Sequence, residues 1–261
     1  MNLLNTLNNI RTYGNKPYIA AVIHGGPGAA GDLKPVAEEL SKHCGVIEPL
    51  QTKYSINDLV EELHSQISGL VQSPVTLIGH SWGAWLALLF AAEYPGLIKK
   101  LILIGSGPFE EKYTLKMMEE RINHLSEEDK NKYFNILKNS NGIMTGELGN
   151  ILSKADTYDL LPGIETEIEF DAELHLSVWN EAKVLRRNGK LMEYVSKLKC
   201  PVTAIHGDYD THPAEGVSQP LAKVLKAFKM ILLEKCGHSP WKERFARDKF
   251  FKILVDEIVH V

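Results

Sequence analysis

One pentapeptide in the chain has the G-x-S-x-G spacing of a reactive serine: Gly79-His80-Ser81-Trp82-Gly83. In such a site the serine lies on a sharp turn between a strand and a helix, where only glycine leaves room for the neighbouring backbone. The apolar run from Val75 to Ile78 comes directly before the pentapeptide, and an apolar helical run begins directly after it at Ala84. The required context is present, and the pattern predicts that Ser81 attacks a carbonyl carbon.

A second motif, His24-Gly25-Gly26-Pro27-Gly28, ends an apolar run and precedes a predicted helix. Attack on a carbonyl group builds negative charge on its oxygen, and backbone N–H groups stabilise that charge where glycines allow close approach. The N–H groups of Gly26 and Trp82, the residue after the serine, would form such an oxyanion hole. The alternative interpretation is a tight turn that simply requires glycine.

A serine nucleophile also needs a base and an orienting acid, which are expected after late strands in the order Ser, Asp or Glu, His. Two late segments supply them: Gly207-Asp208-Tyr209-Asp210-Thr211-His212-Pro213 and Cys236-Gly237-His238-Ser239-Pro240. His238 would accept the proton of Ser81, and an aspartate would hold the imidazole in the required tautomer. Asp208 and Asp210 compete for that orienting role, and the one not used would cap the turn.

Four other histidines lie in or beside these motifs, and position in the chain separates His238 from them. We expect His24 and His80 to support the site through hydrogen bonds rather than to act as bases. His206 ends a predicted strand and is expected to be structural, whereas His212 has no assigned role.

Strands and helices must position these residues. The sequence predicts such elements, because short apolar runs alternate along the chain with segments of helical period. The pattern is typical of an α/β fold with a mostly parallel sheet flanked by helices. The candidate strands are Ile19 to His24, Gly45 to Ile47, Val75 to Gly79, Leu101 to Gly105, Val202 to His206 and Met230 to Glu234. Ser55 predicts a helix start, and the apolar face that follows is Leu59, Leu63, Ile67 and Leu70. The segment from Ala84 to Ala92 is apolar all round, so this helix is expected to be buried.

The alternation stops near Gly107 and resumes at Cys200, which leaves roughly ninety residues of helical period and high charge. We interpret residues 108–199 as a helical cap inserted into a core formed by residues 1–107 and 200–261. Ser126 begins one predicted cap helix, whose apolar face is Tyr133, Phe134 and Leu137. A second is expected from about Ala172 to Arg187, with an apolar stripe of Leu174, Val178, Trp179 and Ala182.

The amino-acid composition reduces the number of function classes to consider. The 261 residues are 44% hydrophobic, with 29 Lys and Arg against 33 Asp and Glu, for a net charge of −4. A slightly acidic chain has no general attraction for phosphate backbones or anionic lipid, so we expect neither nucleic-acid nor membrane binding. The three cysteines lack metal-type spacing and are expected to be reduced thiols in a cytoplasmic protein. A serine mechanism needs neither metal nor cofactor, and the oligomeric state is left open.

Taken together, the motifs resemble the α/β-hydrolase superfamily over about 170 residues outside the cap. The combination of HGGPG with GHSWG resembles the proline iminopeptidase branch of serine peptidases. This resemblance implies that Ser81, Asp210 and His238 form a catalytic triad, with Asp210 rather than Asp208 as the acid. It further implies that the oxyanion hole consists of the same two N–H groups inferred above. Members of this branch generally have two strands before the HGGPG strand, whereas residues 2–17 have room here for at most one short strand or hairpin.

The predicted function is a serine hydrolase that cleaves a small ester or amide through an acyl-enzyme, as an esterase or as an iminopeptidase-like aminopeptidase. Iminopeptidases hold the substrate amine with cap carboxylates. The stretch from Asp156 to Glu173 contains seven acids and no Lys or Arg, and either an amine site or a solvated loop explains it. The alternatives are a carbon–carbon bond hydrolase or an acyltransferase with the same triad, and a catalytically inactive ligand-binding protein.

Overall fold

The computed structural model describes residues 9–139, 146–163 and 168–259. Its strands, in chain order, are β1 (Ile10–Tyr13), β2 (Tyr18–Ile23), β3 (Ala29–Ala30), β4 (Gly45–Pro49), β5 (Val75–His80), β6 (Ile98–Ile104), β7 (Glu169–Phe170), β8 (Val202–Gly207) and β9 (Phe228–Leu233). Seven of them form one sheet in the order β1-β4-β2-β5-β6-β8-β9, and β3 pairs with β7 separately. All pairs in the large sheet are parallel except β1 with β4. The predicted parallel sheet and its six predicted strands are confirmed.

The helices within the described residues are α1 (Lys34–Leu40), α2 (Ile56–Ser68), α3 (Trp82–Glu93), α4 (Thr114–His124), α5 (Glu127–Asn139), α6 (Gly146–Ala155), α7 (Ala172–Arg187), α8 (Lys190–Lys197), α9 (Glu215–Val224) and α10 (Arg247–Val259). None of these helices is long and apolar enough to cross a membrane. The segment that carries α4 to α8 lies between β6 and β8, at the position where the sequence predicts an inserted cap.

The apolar core lies on both faces of the sheet, because successive side chains of a strand point to opposite faces. In β5, Val75 and Leu77 belong to the cluster that contains α2 and α3, whereas Ile78 belongs to the cluster that contains α1 and α10. The helix α3 is buried from Trp82 to Ala92, as its all-round apolar sequence predicts. The residue that precedes this helix is therefore held in the centre of the molecule.

The helix α2 begins where the sequence predicts it. Ser55 is its N-cap, and the Ser55 hydroxyl accepts a hydrogen bond from the Asp58 N–H at 3.2 Å. The predicted apolar residues within the helix are all buried: Leu59, Leu63 and Ile67. The helix ends at Ser68, so Leu70 lies beyond it, although it packs partly buried against the same core.

The inserted segment has two parts that pack differently. The helices α7 and α8 contribute to the core cluster around α3 through Leu174, Val178, Ala182, Leu191 and Val195. The helices α4 to α6 and the turn after α4 instead enclose a small cluster of their own, with buried Leu125, Tyr133, Leu148, Ile151 and Ala155. Only the second part is separate from the core of the sheet.

One predicted cap contact is wrong. Ser126 accepts a hydrogen bond from the Asp129 N–H at 3.1 Å, as expected for the start of α5, but Phe134 is 52% exposed. Each residue of a helix advances by about 100°, so the buried face that contains Tyr133 continues at the third and fourth residues after it rather than at the next one. Before the HGGPG strand, the described residues contain β1, a strand of four residues at the sheet edge, whereas residues 2–8 of the predicted N-terminal segment lie outside the described residues.

Candidate active site

Ser81 lies on a strained turn between β5 and α3. Its φ is 53° and its ψ is −117°, a conformation that L-residues rarely adopt outside functional sites. The flanking glycines permit this turn, because a Cβ at Gly79 would overlap the backbone of Gly83 and a Cβ at Gly83 would overlap the Ile23 carbonyl. The G-x-S-x-G spacing is therefore required by the close packing of this turn.

His238 and Asp210 meet at the ends of the last two strands. The Nδ1 atom of His238 is 2.8 Å from Oδ2 of Asp210, and His238 lines the same cavity as Ser81. Burial opposes ionisation of the Asp210 carboxyl, but the histidines around it outweigh this and hold its pKa well below its usual range. Burial likewise disfavours a charged His238, yet the adjacent Asp210 carboxylate raises the pKa of His238 above its ordinary value. Asp208 instead accepts a hydrogen bond from the Cys236 N–H at 3.2 Å.

Gly26 and Trp82 both line this cavity. Gly26 has a φ of 111°, and a Cβ there would lie 2.7 Å from the backbone nitrogen of Ala29, so the loop requires glycine. Trp82 is the first residue of α3, where an amide N–H has no acceptor within the helix. Both N–H groups are thus placed in elements that suit the binding of an anionic oxygen.

The two histidines beside the motifs make the hydrogen bonds expected of supporting residues. The Nδ1 atom of His80 is 2.6 Å from Oδ2 of the buried Asp32, and its Nε2 atom is 3.2 Å from the carbonyl oxygen of His238. Burial opposes ionisation of Asp32, but attraction to His80 outweighs it and keeps the pKa of Asp32 below its usual range. On the other side, the Gln51 N–H donates to Nε2 of His24 at 3.2 Å.

His212 is a second histidine on the Asp210 carboxylate. Its Nδ1 atom is 2.8 Å from Oδ1 of Asp210, and its ring stacks on His238 with centroids 4.4 Å apart. Its Nε2 atom is 3.2 Å from Nη2 of Arg121. Because arginine only donates, Nε2 of His212 is the acceptor and its Nδ1–H donates to Asp210. Burial lowers the pKa of His212 to about 4, so this ring is neutral near pH 7.

Cap residues contact the loop that carries His238. The His238 N–H donates to the Asp156 carbonyl at 2.7 Å. The buried Glu243 carboxylate accepts hydrogen bonds from the N–H groups of Gly237 at 3.0 Å, Tyr158 at 3.0 Å and Asp159 at 2.8 Å. Sequence reasoning did not find Glu243 or Arg121, and no local pattern marks either of them. One carboxylate thus joins the cap segment to the histidine loop.

A cavity of about 340 Å³ opens above Ser81 and extends under the cap. Its aromatic wall includes Trp85 and Trp179, whose rings stack with centroids 5.9 Å apart. Its charged lining residues are Arg121, Arg186, Lys242, Asp32 and Asp156. Met117 also lines the cavity, whereas Phe109 is buried in the core and the side chain of Met118 is exposed.

Among its described residues, the acidic stretch of the cap supplies one carboxylate to the cavity, that of Asp156, and this carboxylate is paired. Arg121 binds both oxygens of Asp156, at 3.3 and 3.2 Å. The other described acids of the stretch lie outside the cavity lining: Asp159, Glu169, Asp171 and Glu173. Two of the acids proposed as amine ligands, Glu165 and Glu167, lie outside the described residues.

One group of side chains within the described residues has the donor atoms and spacing to consider as a metal site. Asp210, His212 and His238 each place one such atom within 4.8 Å of the others. The two imidazole rings are stacked with their planes only 23° apart, so their lone pairs lie in separate, nearly parallel planes, which disfavours binding of one ion by both rings. The group is better described as a hydrogen-bonded unit around the carboxylate.

The family model for the alpha/beta hydrolase fold matches residues 27–244, and the chain belongs to this family. Over a 286-residue alignment it is 24% identical to a proline iminopeptidase of Saccharolobus solfataricus, covering 92% of this chain and 84% of that protein. It is 26% identical over 225 residues to monoacylglycerol lipase abhd6-B of Xenopus laevis, covering 82% of this chain and 64% of the lipase.

Solved structures agree on the fold. The crystal structure of VinJ superposes with a TM-score of 0.72 at 16% identity, covering 95% of this chain and 93% of that one. A proline iminopeptidase of Mycobacterium smegmatis superposes with a TM-score of 0.64 at 15% identity, with the same two shares. The chain is therefore a hydrolase of the α/β-hydrolase fold that is similar to the proline iminopeptidase branch, as the two glycine motifs predict.

Proposed function

We propose that the protein is a serine hydrolase in which Ser81 is the nucleophile, His238 the general base and Asp210 the acid that orients the imidazole. The observation that carries this proposal is the 2.8 Å contact between His238 Nδ1 and the buried Asp210 carboxylate, at a cavity that Ser81 also lines. Because the carboxylate accepts from Nδ1–H, the lone pair of neutral His238 lies on Nε2, where it can receive the serine proton.

The reaction follows from this arrangement. Ser81 Oγ forms a bond to the substrate carbonyl carbon while its proton passes to His238 Nε2, and the N–H groups of Gly26 and Trp82 bind the oxyanion. Collapse of this intermediate breaks the bond to the leaving group, which takes the proton from His238 and leaves an acyl-enzyme. A water molecule then gives a proton to His238 and attacks the acyl carbon. The second collapse returns that proton to Ser81 and releases the acid.

We favour a small ester over a peptide amine as the substrate. Asp156 is the one cap carboxylate among the described cavity residues, and Arg121 already binds both of its oxygens. An ammonium group would have to displace this pair, whereas an uncharged ester would not. Aminopeptidase activity is the second candidate, because the chain is similar to a proline iminopeptidase over 92% of its length. Carbon–carbon bond hydrolysis and acyl transfer would use the same residues.

The proposal also covers the substrate class, the cofactor requirement and the cellular location. The substrate is a small molecule or short peptide, and the serine mechanism uses no cofactor. A cytoplasmic location is proposed because Cys44, Cys200 and Cys236 are free thiols, of which Cys236 is buried.

The decisive experiment compares kcat/KM for p-nitrophenyl butyrate with that for prolyl and alanyl p-nitroanilides, in the wild type and in Ser81→Ala. We expect ester turnover that falls by about a thousandfold or more in the variant, because the acyl-enzyme cannot form. Faster turnover of an anilide would make the aminopeptidase the better assignment. Unchanged ester turnover in Ser81→Ala would overturn the proposal, and saturable binding without turnover would support a ligand-binding protein.

A further inference from the structure

Arg186 is a buried cation in the cavity wall that the proposed reaction does not use. It lies in the last turn of α7, its side chain is 6% exposed, and it lines the same cavity as Ser81. Removing a guanidinium from water is costly unless its donors are paired. A buried arginine that lines a cavity, and whose N–H donors are only partly paired, therefore indicates an anion-binding site.

The contacts of Arg186 leave its terminal nitrogens available. Its Nε–H donates to Oε2 of Glu111 at 2.8 Å, and its guanidinium carbon lies 5.6 Å from the centroid of the Trp85 ring. Within the described residues, this contact with Glu111 is the one hydrogen bond of the guanidinium group. The two terminal nitrogens carry four N–H groups in one plane. They form the edge of the guanidinium group that binds a carboxylate through two parallel hydrogen bonds.

The other charges in the cavity do not compete for an incoming anion. Arg121 is engaged by Asp156 and His212, and Lys242 lies 3.5 Å from Asp32. Each described carboxylate that lines the cavity is thus already beside a cation. Glu111, the partner of Arg186, does not line the cavity and is partly exposed. Among the described residues that line the cavity, this charge pattern selects against an ammonium group and for a carboxylate.

We propose that Arg186 binds a carboxylate of the substrate, so that the preferred substrate class is an ester with a second, ionised carboxyl group. This inference rests on the proposed serine hydrolase function and specifies its substrate. Trp85 holds the guanidinium plane from one side, and the stacked Trp85 and Trp179 rings form an apolar wall for the chain that joins the two ends of the substrate. Arg186 is a specificity residue and takes no part in proton transfer.

The test uses two esters of equal chain length, the mono-p-nitrophenyl ester of adipic acid and p-nitrophenyl hexanoate, with Ser81→Ala as the blank. We expect the wild type to prefer the anionic ester in kcat/KM. In Arg186→Gln this preference falls by about tenfold or more, because a hydrogen-bonded charge pair is lost. Turnover of the neutral ester stays close to that of the wild type, which shows that the variant is folded and catalytically competent.

Arg187→Gln is the matched control, since Arg187 is the exposed neighbour on the same turn, and it should leave the preference unchanged. If Arg186→Gln folds poorly, the double variant with Glu111→Gln removes both members of the pair and repeats the test. Equal kcat/KM for the two esters in the wild type would overturn the inference and leave the serine mechanism intact. If neither ester is cleaved, calorimetric titration with adipate decides separately: binding that Arg186→Gln abolishes supports the site, and no binding overturns it.

Discussion

At the scale of single residues, Asp210 divides its two carboxylate oxygens between two histidines with different protonation chemistry. His212 receives a hydrogen bond from Arg121 on its Nε2 atom, and its pKa of about 4 keeps it neutral. His238 is stacked on it, yet the charge of Asp210 raises the pKa of His238. Two adjacent imidazoles on one carboxylate therefore do not compete for the same proton. Only His238 is suited to accept and return a proton near neutral pH.

Replacement of Asp210 should have a far larger effect than replacement of Asp208. We expect Asp210→Asn to lower kcat for an ester by a thousandfold or more, on the order known for loss of the orienting carboxylate, because the amide no longer stabilises the imidazolium. Asp208→Asn should change kcat by less than about threefold, since within the described residues the Asp208 carboxylate accepts a hydrogen bond only from the Cys236 N–H. Steady-state kinetics measures both. Comparable losses in the two variants would show that the wrong acid has been assigned.

The pH dependence of the reaction should report the same carboxylate. Because His238 must be neutral to accept a proton, kcat/KM should rise with pH, and the midpoint should lie above 6.5, the ordinary value for histidine. In Asp210→Asn the largest raising influence is gone and burial remains, so the pKa of His238 should fall. The imidazole proton resonances of His238 in NMR titrations measure this directly, even where activity is lost. A pKa of His238 that is unchanged in the variant would contradict the electrostatic account.

At the scale of elements, the cap is hydrogen-bonded to the histidine loop in two ways, directly through the Asp156 carbonyl and indirectly through Glu243. Glu243 accepts three backbone N–H groups, one from the loop beside His238 and two from the cap segment after α6. These N–H groups are removed from water, so loss of the acceptor leaves unpaired donors as well as a broken link. The position of His238, the proposed general base, consequently depends on how the cap packs against the histidine loop.

We expect Glu243→Gln to lower the free energy of unfolding by about 1–3 kcal/mol, because an amide cannot present two acceptor oxygens to three N–H groups. It should also lower kcat more than it raises KM, since the base is displaced while the cavity walls remain. Urea denaturation and ester kinetics provide the two readouts. Glu234→Gln, at an exposed position after β9, is the matched control. A destabilised variant with normal kcat would show that the link does not position His238.

At the scale of the whole molecule, the features that were predictable from sequence are those set by local pattern. The apolar runs predicted the strands, and the two glycine motifs predicted the turns at Ser81 and Gly26, because turn geometry depends on neighbouring residues. The long-range ion pairs and hydrogen bonds of the cap were not predictable. Arg121 and Asp156 lie 35 residues apart, Glu111 and Arg186 75 apart, and Tyr158 and Glu243 85 apart. No periodicity connects such positions, so only the assembled fold shows which charges face the cavity.

The two parts of the inserted segment should also differ in stability. The helices α7 and α8 share the core around α3, whereas α4 to α6 enclose only a small cluster, so α4 to α6 should open without unfolding the sheet. Ile151→Ala should lower the protection of α4 to α6 against hydrogen exchange by about 2 kcal/mol or more and leave β5 unchanged. Val178→Ala should lower protection in α3, α7 and β5 together. Native-state hydrogen exchange with mass spectrometry separates these outcomes. Equal loss of protection throughout the chain in both variants would mean that cap and sheet unfold as one unit. The positioning of His238 through Glu243 could then not be separated from global stability.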